Sequence, residues 1–390
     1  MPESAVATAR GPAERSEPGG VEQVRVSTLE LFFDLVFVFT ITQLTAVLAG
    51  HPNGEGLLRV SLMLIVIWWM YGGYAWLTNV VAPDRLAYQF LLLGGMAAFL
   101  VLSLAVPTAF DGGGVAFGIA YLLIVLIHAG LFTRSRAGAS GTAILKVAPL
   151  NLAAALFITA AGIAGGTARG VLWGLALAVI LLPSLRPPDP RFELNPTHFV
   201  ERHGLVVIVA LGESVVAVGI GASAHSLTVG LVAIAVLGLG LTACLWWTYF
   251  GEGQDERALD AMLAAPNRER PRLALFGFYH WHLLMLLGVI AVASALEQAI
   301  GHAAEPLSFA RSLALGGGVA LFLVGDALFR RTLSIGRPAW RLLAAAFALA
   351  TIPLGTEASA VVELSAQFVV LAGCLALEFA GEHSPAPERL

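Results

Sequence analysis

From Leu29 onward the chain is a succession of apolar runs, each about as long as a lipid bilayer is thick. A hydrocarbon core of ~30 Å takes roughly 20 helical residues to cross. Inside it the backbone must satisfy its own hydrogen bonds, so only helices and closed barrels span it. These runs lack the alternation of two expected of barrel strands. They predict an all-α integral membrane protein with about twelve transmembrane helices, near 29–49, 57–78, 86–107, 115–133, 145–164, 168–183, 198–222, 227–250, 273–297, 308–329, 339–355 and 358–380. Turn chemistry separates them, as at Gly50-His51-Pro52-Asn53-Gly54 and Asp111-Gly112-Gly113-Gly114.

Only 12% of the residues are charged, against roughly 25% in soluble domains. The net charge of −4 and the absence of a basic face argue against a nucleic-acid partner. The lipid bilayer is the expected partner, with an unknown small solute or lipid as ligand. Cys244 and Cys374 both lie in apolar runs, so neither a disulfide framework nor a paired-cysteine metal motif is expected. No metal site or cofactor is predicted. HExxH, GxSxG and phosphate-loop patterns are absent, and the loops are too short for a nucleotide-binding domain. Residues 1–25 and 381–390 read as polar, disordered tails, and 184–197 as a Pro-rich linker.

Loop charge predicts the orientation. If the spans alternate, 19 of the 22 Lys and Arg fall on one side, and Arg59, Arg169 and Arg311 on the other. By the positive-inside rule the rich side, with both termini, is cytoplasmic. The expected location is the plasma (inner) membrane.

The chain also resembles itself. Leu29-Glu30 opens the first span as Val200-Glu201 opens the seventh. Trp68-Trp69-Met70-Tyr71 in the second matches Trp246-Trp247-Thr248-Tyr249 in the eighth. Arg85-Leu86-Ala87 matches Arg272-Leu273-Ala274, and HAGLFTR ending at Arg134 matches DALFRR ending at Arg331. These matches, in the same order, predict two parallel six-helix halves, 26–183 and 198–380.

Residues 27–44 (STLELFFDLVFVFTITQL) closely resemble the opening signature of the bacterial low-temperature-requirement protein A family, LtrA. Residues 201–219 (ERHGLVVIVALGESVVAVG) resemble its second signature, and the paired tryptophans and His280 fit as well. The resemblance runs from about Val26 to Phe379. It implies a multi-pass membrane protein linked by name to growth in the cold, without a settled molecular activity or assigned catalytic residues.

Ionisable groups are costly within a bilayer and point to function. Glu30 and Asp34 are four apart, on one face near the start of the first span. They read as an inner-gate charge pair, or as a helix-end pair matching the N-terminal dipole or bridging to loop arginines. Glu201, Arg202 and His203 occupy the equivalent end of the seventh span, a charge cluster in which Glu201 is expected to pair with an arginine across the pseudo-axis. His128 and Asp326 occupy equivalent places in the fourth and tenth, with Asp326 able to pair with Arg330 four residues on. Glu213 is ~18 Å deeper than Glu201, near mid-membrane, and Thr42-Gln43 lies at the matching depth in the first half. Glu213, Ser214 and Gln43 are thus candidates for binding substrate or an ion. His280 and His282 are candidate partners of Glu213, although two residues apart on a helix they point away from each other. The leading expectation is a proton- or cation-coupled secondary transporter. The alternatives are an intramembrane enzyme acting on a lipid or isoprenoid, with Glu213 and His280 as acid and base, and a non-catalytic sensor or assembly factor.

Overall fold

The computed structural model describes residues 26–80, 85–134, 138–185, 189, 194–223 and 225–382. Among these there is no strand, and twelve helices are long and apolar enough to cross a membrane: Thr28–Gly50, Gly54–Val80, Leu86–Thr108, Gly114–Thr133, Lys146–Ile163, Gly166–Leu185, Pro196–Ala222, Val229–Ala264, Arg270–Ala299, Phe309–Leu333, Ala339–Glu357 and Ala360–Ala380. They are called the first to twelfth spans below. The expected tail 1–25, all but the first two residues of the expected tail 381–390, and half of the expected linker 184–197 lie outside the described residues; the last helix runs on to Glu382, and the seventh span begins at Pro196.

The helix ends follow from local chemistry. Ser27 caps the first span in a reciprocal capping box with Glu30. Asn195 accepts from the backbone of Thr197 and His198, with Pro196 at the first helical position of the seventh. Three features depart from uninterrupted spans. A short amphipathic helix, Gln254–Ala264, follows the eighth apolar segment, Val229–Phe250. The ninth span opens with a π-helical stretch, Ala274–Trp281. The eleventh breaks at Thr351, between Ala339–Ala350 and Ile352–Glu357, with Pro353 just past the break.

Outward-facing Leu35, Val236 and Val369 are each more than 60% exposed and suit a lipid environment. Loops expected on one side do meet there. Arg59 lies 3.9 Å from Asp111, and Arg169 donates to the carbonyls of Phe110 and Ala164. This face, which also carries Arg311, is called arginine-poor below, and the opposite one arginine-rich.

In the first six spans the packed neighbours include first–second, first–third, second–fourth, second–sixth, third–fourth, fourth–fifth and fifth–sixth. The same list, shifted by six, describes the last six spans. Between the two groups, the first and second spans pack against the seventh and ninth. The candidate residues Glu30, Asp34, His203, Glu213 and His282 lie on the helices that form this seam.

Close helix approach needs glycine where backbones meet. A Cβ on Gly318 would lie 2.8 Å from Gly288 O, and one on Gly288 would lie 2.6 Å from Gly318 O. The ninth and tenth spans therefore touch through bare backbone. Gly318→Val is expected to cost at least ~1–3 kcal/mol through overpacking. Gly317→Val, whose Cβ would meet only Leu313 of its own helix at 3.4 Å, should cost far less. Thermal unfolding in detergent compares the two.

Candidate functional site

Towards the arginine-rich end of the seam, Arg202 of the seventh span enters a buried lattice on the first and second. Its Nη1 donates to Glu30 Oε1 at 2.7 Å and to Thr78 Oγ1 at 3.0 Å; its Nη2 donates to Asp34 Oδ1 at 3.1 Å. Tyr71 Oη donates to the same Asp34 oxygen at 2.7 Å. The guanidinium also lies over the rings of Phe33 and Tyr71, each 5.6 Å away. Arg202, Glu30 and Asp34 are at most 2% exposed. The i, i+4 spacing of Glu30 and Asp34 lets one guanidinium meet both.

His198, one turn before Arg202, adds a fourth member, with Nε2 3.0 Å from Glu30 Oε1. Its tautomer follows from Asn79. That amide is held by Asn195, whose N–H donates to Asn79 Oδ1 at 2.8 Å and whose carbonyl accepts from Nδ2 at 2.9 Å. Asn79 Nδ2 therefore faces His198 Nδ1 as a donor at 3.3 Å, and the imidazole proton sits on Nε2, directed at Glu30. Two carboxyls thus meet one guanidinium, and Asp34 Oδ2 is left without a partner.

Below this lattice runs a column of rings. Trp68 stacks on Tyr71 at 5.1 Å and on Tyr279 at 6.0 Å, and its indole N–H donates to the Tyr279 backbone carbonyl at 2.9 Å. That carbonyl belongs to the π-helical stretch, where the altered ladder leaves room for a side-chain donor. His203 and His282 continue the column, with ring centroids 5.5 Å apart. His282 pairs with Gly277 O at 3.1 Å and Tyr249 Oη at 2.8 Å. His203 pairs with Phe199 O at 2.8 Å.

Glu213 lies ~16 Å beyond Arg202 along the seventh span and is 1% exposed. Its Oε2 is 2.5 Å from Thr42 Oγ1, which is itself 3.3 Å from Val38 O. A hydroxyl has one hydrogen, and an ionised carboxylate and a carbonyl both only accept. Both contacts are satisfied together when Glu213 carries a proton and donates it to Thr42, which donates to Val38. Glu213 Oε1, Thr45 Oγ1 and Ser214 Oγ have no partner. No basic side chain forms an ion pair with Glu213 among the described residues.

The expected residues thus divide. Thr42, rather than the half-buried Gln43, meets Glu213. Glu201 is exposed and, among the described residues, accepts from the Val26 backbone N–H at 3.5 Å; the cross-span pairs expected of it are made instead by Arg202 of the same cluster. His280 binds Leu275 O and stacks on Phe276. The packing of His203 on Phe278, and of Gly221 near Glu297 and Ile300, sets the register of the seventh and ninth spans. It leaves His280 ~15 Å from the level of Glu213, so the two form no relay. His128 packs against Gly73 and Tyr74, with Nε2 unpartnered. Asp326 joins a separate lattice on the tenth to twelfth spans: Arg330 and Arg341 each donate to its Oδ2, at 3.0 and 3.1 Å, and both also reach Glu378.

Comparison with known proteins decides the family. The sequence model described as Bacterial low temperature requirement A protein (LtrA) matches residues 25–377. The chain belongs to the LtrA family. A relative within reach of ordinary sequence comparison is uncharacterized protein RA0937 of Rhizobium meliloti (strain 1021), 29% identical over 327 residues, which are 80% of this chain and 79% of the relative. Both signature segments quoted above fall within the LtrA match, and they lie on the two helices that supply Glu30, Asp34 and Arg202 to the lattice and Thr42 to Glu213.

Arg202→Met removes the only guanidinium in the lattice and leaves two buried carboxyls. The expected loss is ~3–5 kcal/mol, read by chemical unfolding in detergent. Adding Glu30→Gln and Asp34→Asn to that variant should recover most of it.

Proposed function

We propose that this LtrA-family protein is a proton- or cation-coupled secondary transporter of a small solute in the plasma membrane, with Glu213 as the coupling residue. The observation that carries this is the Glu213 carboxyl itself. It is buried within a span, bonded to a hydroxyl rather than a cation, and situated where the first and seventh spans meet. A carboxyl in that setting is stable with a proton and costly without one, so releasing the proton requires water or a cation to reach it.

The lattice around Arg202 supplies the other part. Its carboxyls come from the first span and its guanidinium from the seventh, so separating these spans breaks every pair at once. In the proposed orientation it closes the cytoplasmic end and acts as the inner gate. The recurring neighbour list supports two parallel halves that rock about the seam where Glu213 lies. Proton occupancy of Glu213 then biases which end opens, because the ionised form favours the arrangement in which water reaches it. A lipid-modifying enzyme using Glu213 and His280 has less support, since these residues lie apart.

The test uses purified protein in liposomes that hold a pH-sensitive dye. Amino acids, organic acids, amines and sugars are added outside. The wild type is expected to give a pH change with one class of solute. Glu213→Gln, folded by its elution and helical content, is expected to abolish that change, and Thr42→Ala to weaken it. Full coupling by Glu213→Gln would sink the assignment.

A further inference from the structure

The twelfth span carries a second buried carboxyl, far from the Glu213 seam. Glu363 and Gln367 are four apart, on one face, and both are 0% exposed. They face the break in the eleventh span. There Ala348 O accepts from Thr351 N at 3.2 Å, Thr351 Oγ1 at 2.8 Å and Gln367 Nε2 at 3.0 Å. Gln367 Nε2 also donates to Thr351 Oγ1 at 2.6 Å. Both amide hydrogens are thus engaged, which fixes the amide orientation and leaves Gln367 Oε1 without a donor.

Glu363 has the same arrangement as Glu213. Its Oε2 is 2.6 Å from Ser312 Oγ, which is 2.9 Å from Ile352 O, and its Oε1 has no partner. One hydroxyl hydrogen again faces two acceptors unless the carboxyl brings a proton. Among the described residues no ion pair reaches Glu363. Arg311, next to Ser312, is turned ~100° from it on the helix and is not paired with the carboxyl. The glycines around the carboxyl are required by space. A Cβ on Gly355 would collide with Glu363 Oε2, and one on Gly316 would lie 2.9 Å from Ala348 O and 3.1 Å from Gln367 Nε2.

We propose that Glu363, Gln367 and Ser312 form a site for one monovalent cation, a proton or sodium, beside the broken eleventh span. The unpartnered oxygens of Glu363 and Gln367 and the Ser312 hydroxyl are hard oxygen donors of the kind alkali ions take. They lie beside a helix interrupted within the membrane, a setting shared with ion sites of membrane transport proteins generally. Binding places one positive charge on a carboxyl that otherwise has no counter-charge within the bilayer. The site stands independently of the role given to Glu213.

Infrared spectra of the protein in lipid vesicles, at neutral pH, test this. In sodium-free choline buffer the wild type is expected to show carboxylic-acid carbonyl absorption, part of which Glu363→Gln removes and Glu213→Gln retains. If the site takes sodium, adding sodium chloride converts that part to carboxylate in the wild type but not in Glu363→Gln. If it takes only protons, sodium leaves the part unchanged; either result supports the site. Ser312→Ala, which keeps the carboxyl, should shift the same component to higher frequency by removing its hydrogen bond, and the amide band reports folding in each variant. A Glu363→Gln spectrum matching the wild type in both buffers would overturn the proposal. So would an unshifted Ser312→Ala spectrum, should Glu363→Gln fail to fold.

Discussion

A single guanidinium ties the two ends of the sequence signature together. Arg202 lies within the membrane-spanning helices, where an isolated charge is heavily penalised, and it is tolerated because Glu30, Asp34, Tyr71 and Thr78 complete its hydrogen bonds. Each requirement propagates. The carboxyls must be one turn apart, so the first span must already be helical at Glu30, and Ser27 caps it there. Tyr71 must reach Asp34, so the second span lies against the first. His198 must point its Nε2 proton at Glu30, so Asn79 and Asn195 hold its other nitrogen. The lattice therefore sets the relative height and rotation of three helices drawn from both halves of the chain.

Away from that lattice the membrane interior uses a different solution. Glu213 and Glu363 each contact a hydroxyl whose other neighbour is a backbone carbonyl. A neutral carboxyl is far cheaper to bury than an ion pair that must find matched partners, and it can gain or lose charge when water arrives. The chain thus combines ionic lattices, around Arg202 and around Arg330 with Arg341, with buried carboxyls bonded to hydroxyls. In the proposed function the first kind resists change in helix contacts and the second kind responds to it.

What could be read from the sequence follows the range of each interaction. Hydropathy is local, so the twelve spans were legible, as was the shared face of Glu30 and Asp34. The break at Thr351 falls inside the expected span 339–355, which hydropathy gives as one continuous run. The helix at 254–264 escaped because it is amphipathic and charged, with no apolar run to reveal it. Depth along a helix follows from the rise per residue, which brought Thr42 and Gln43 to the level of Glu213; rotation does not, so choosing between them required coordinates. Arg202 could have been found from the cost of leaving Glu30 and Asp34 unpaired, but its partner spans lie more than 120 residues away in sequence. Glu363 and Gln367 sit in the first turns of a span, where polar residues ordinarily meet water, and only packing against the broken eleventh span buries them.

In the proposed function the Arg202 lattice holds the seam shut at one end, and loosening it lets the halves move. Electron-spin distance measurement addresses this directly, with labels at exposed Leu86 and Arg268 after Cys244→Ser and Cys374→Ser. Asp34→Asn keeps the shape of the side chain while weakening its bonds to Arg202 and Tyr71. The account predicts that this substitution adds a population at longer separation to the distribution. A distribution unchanged from the parent protein, in lipid and across pH, would contradict it.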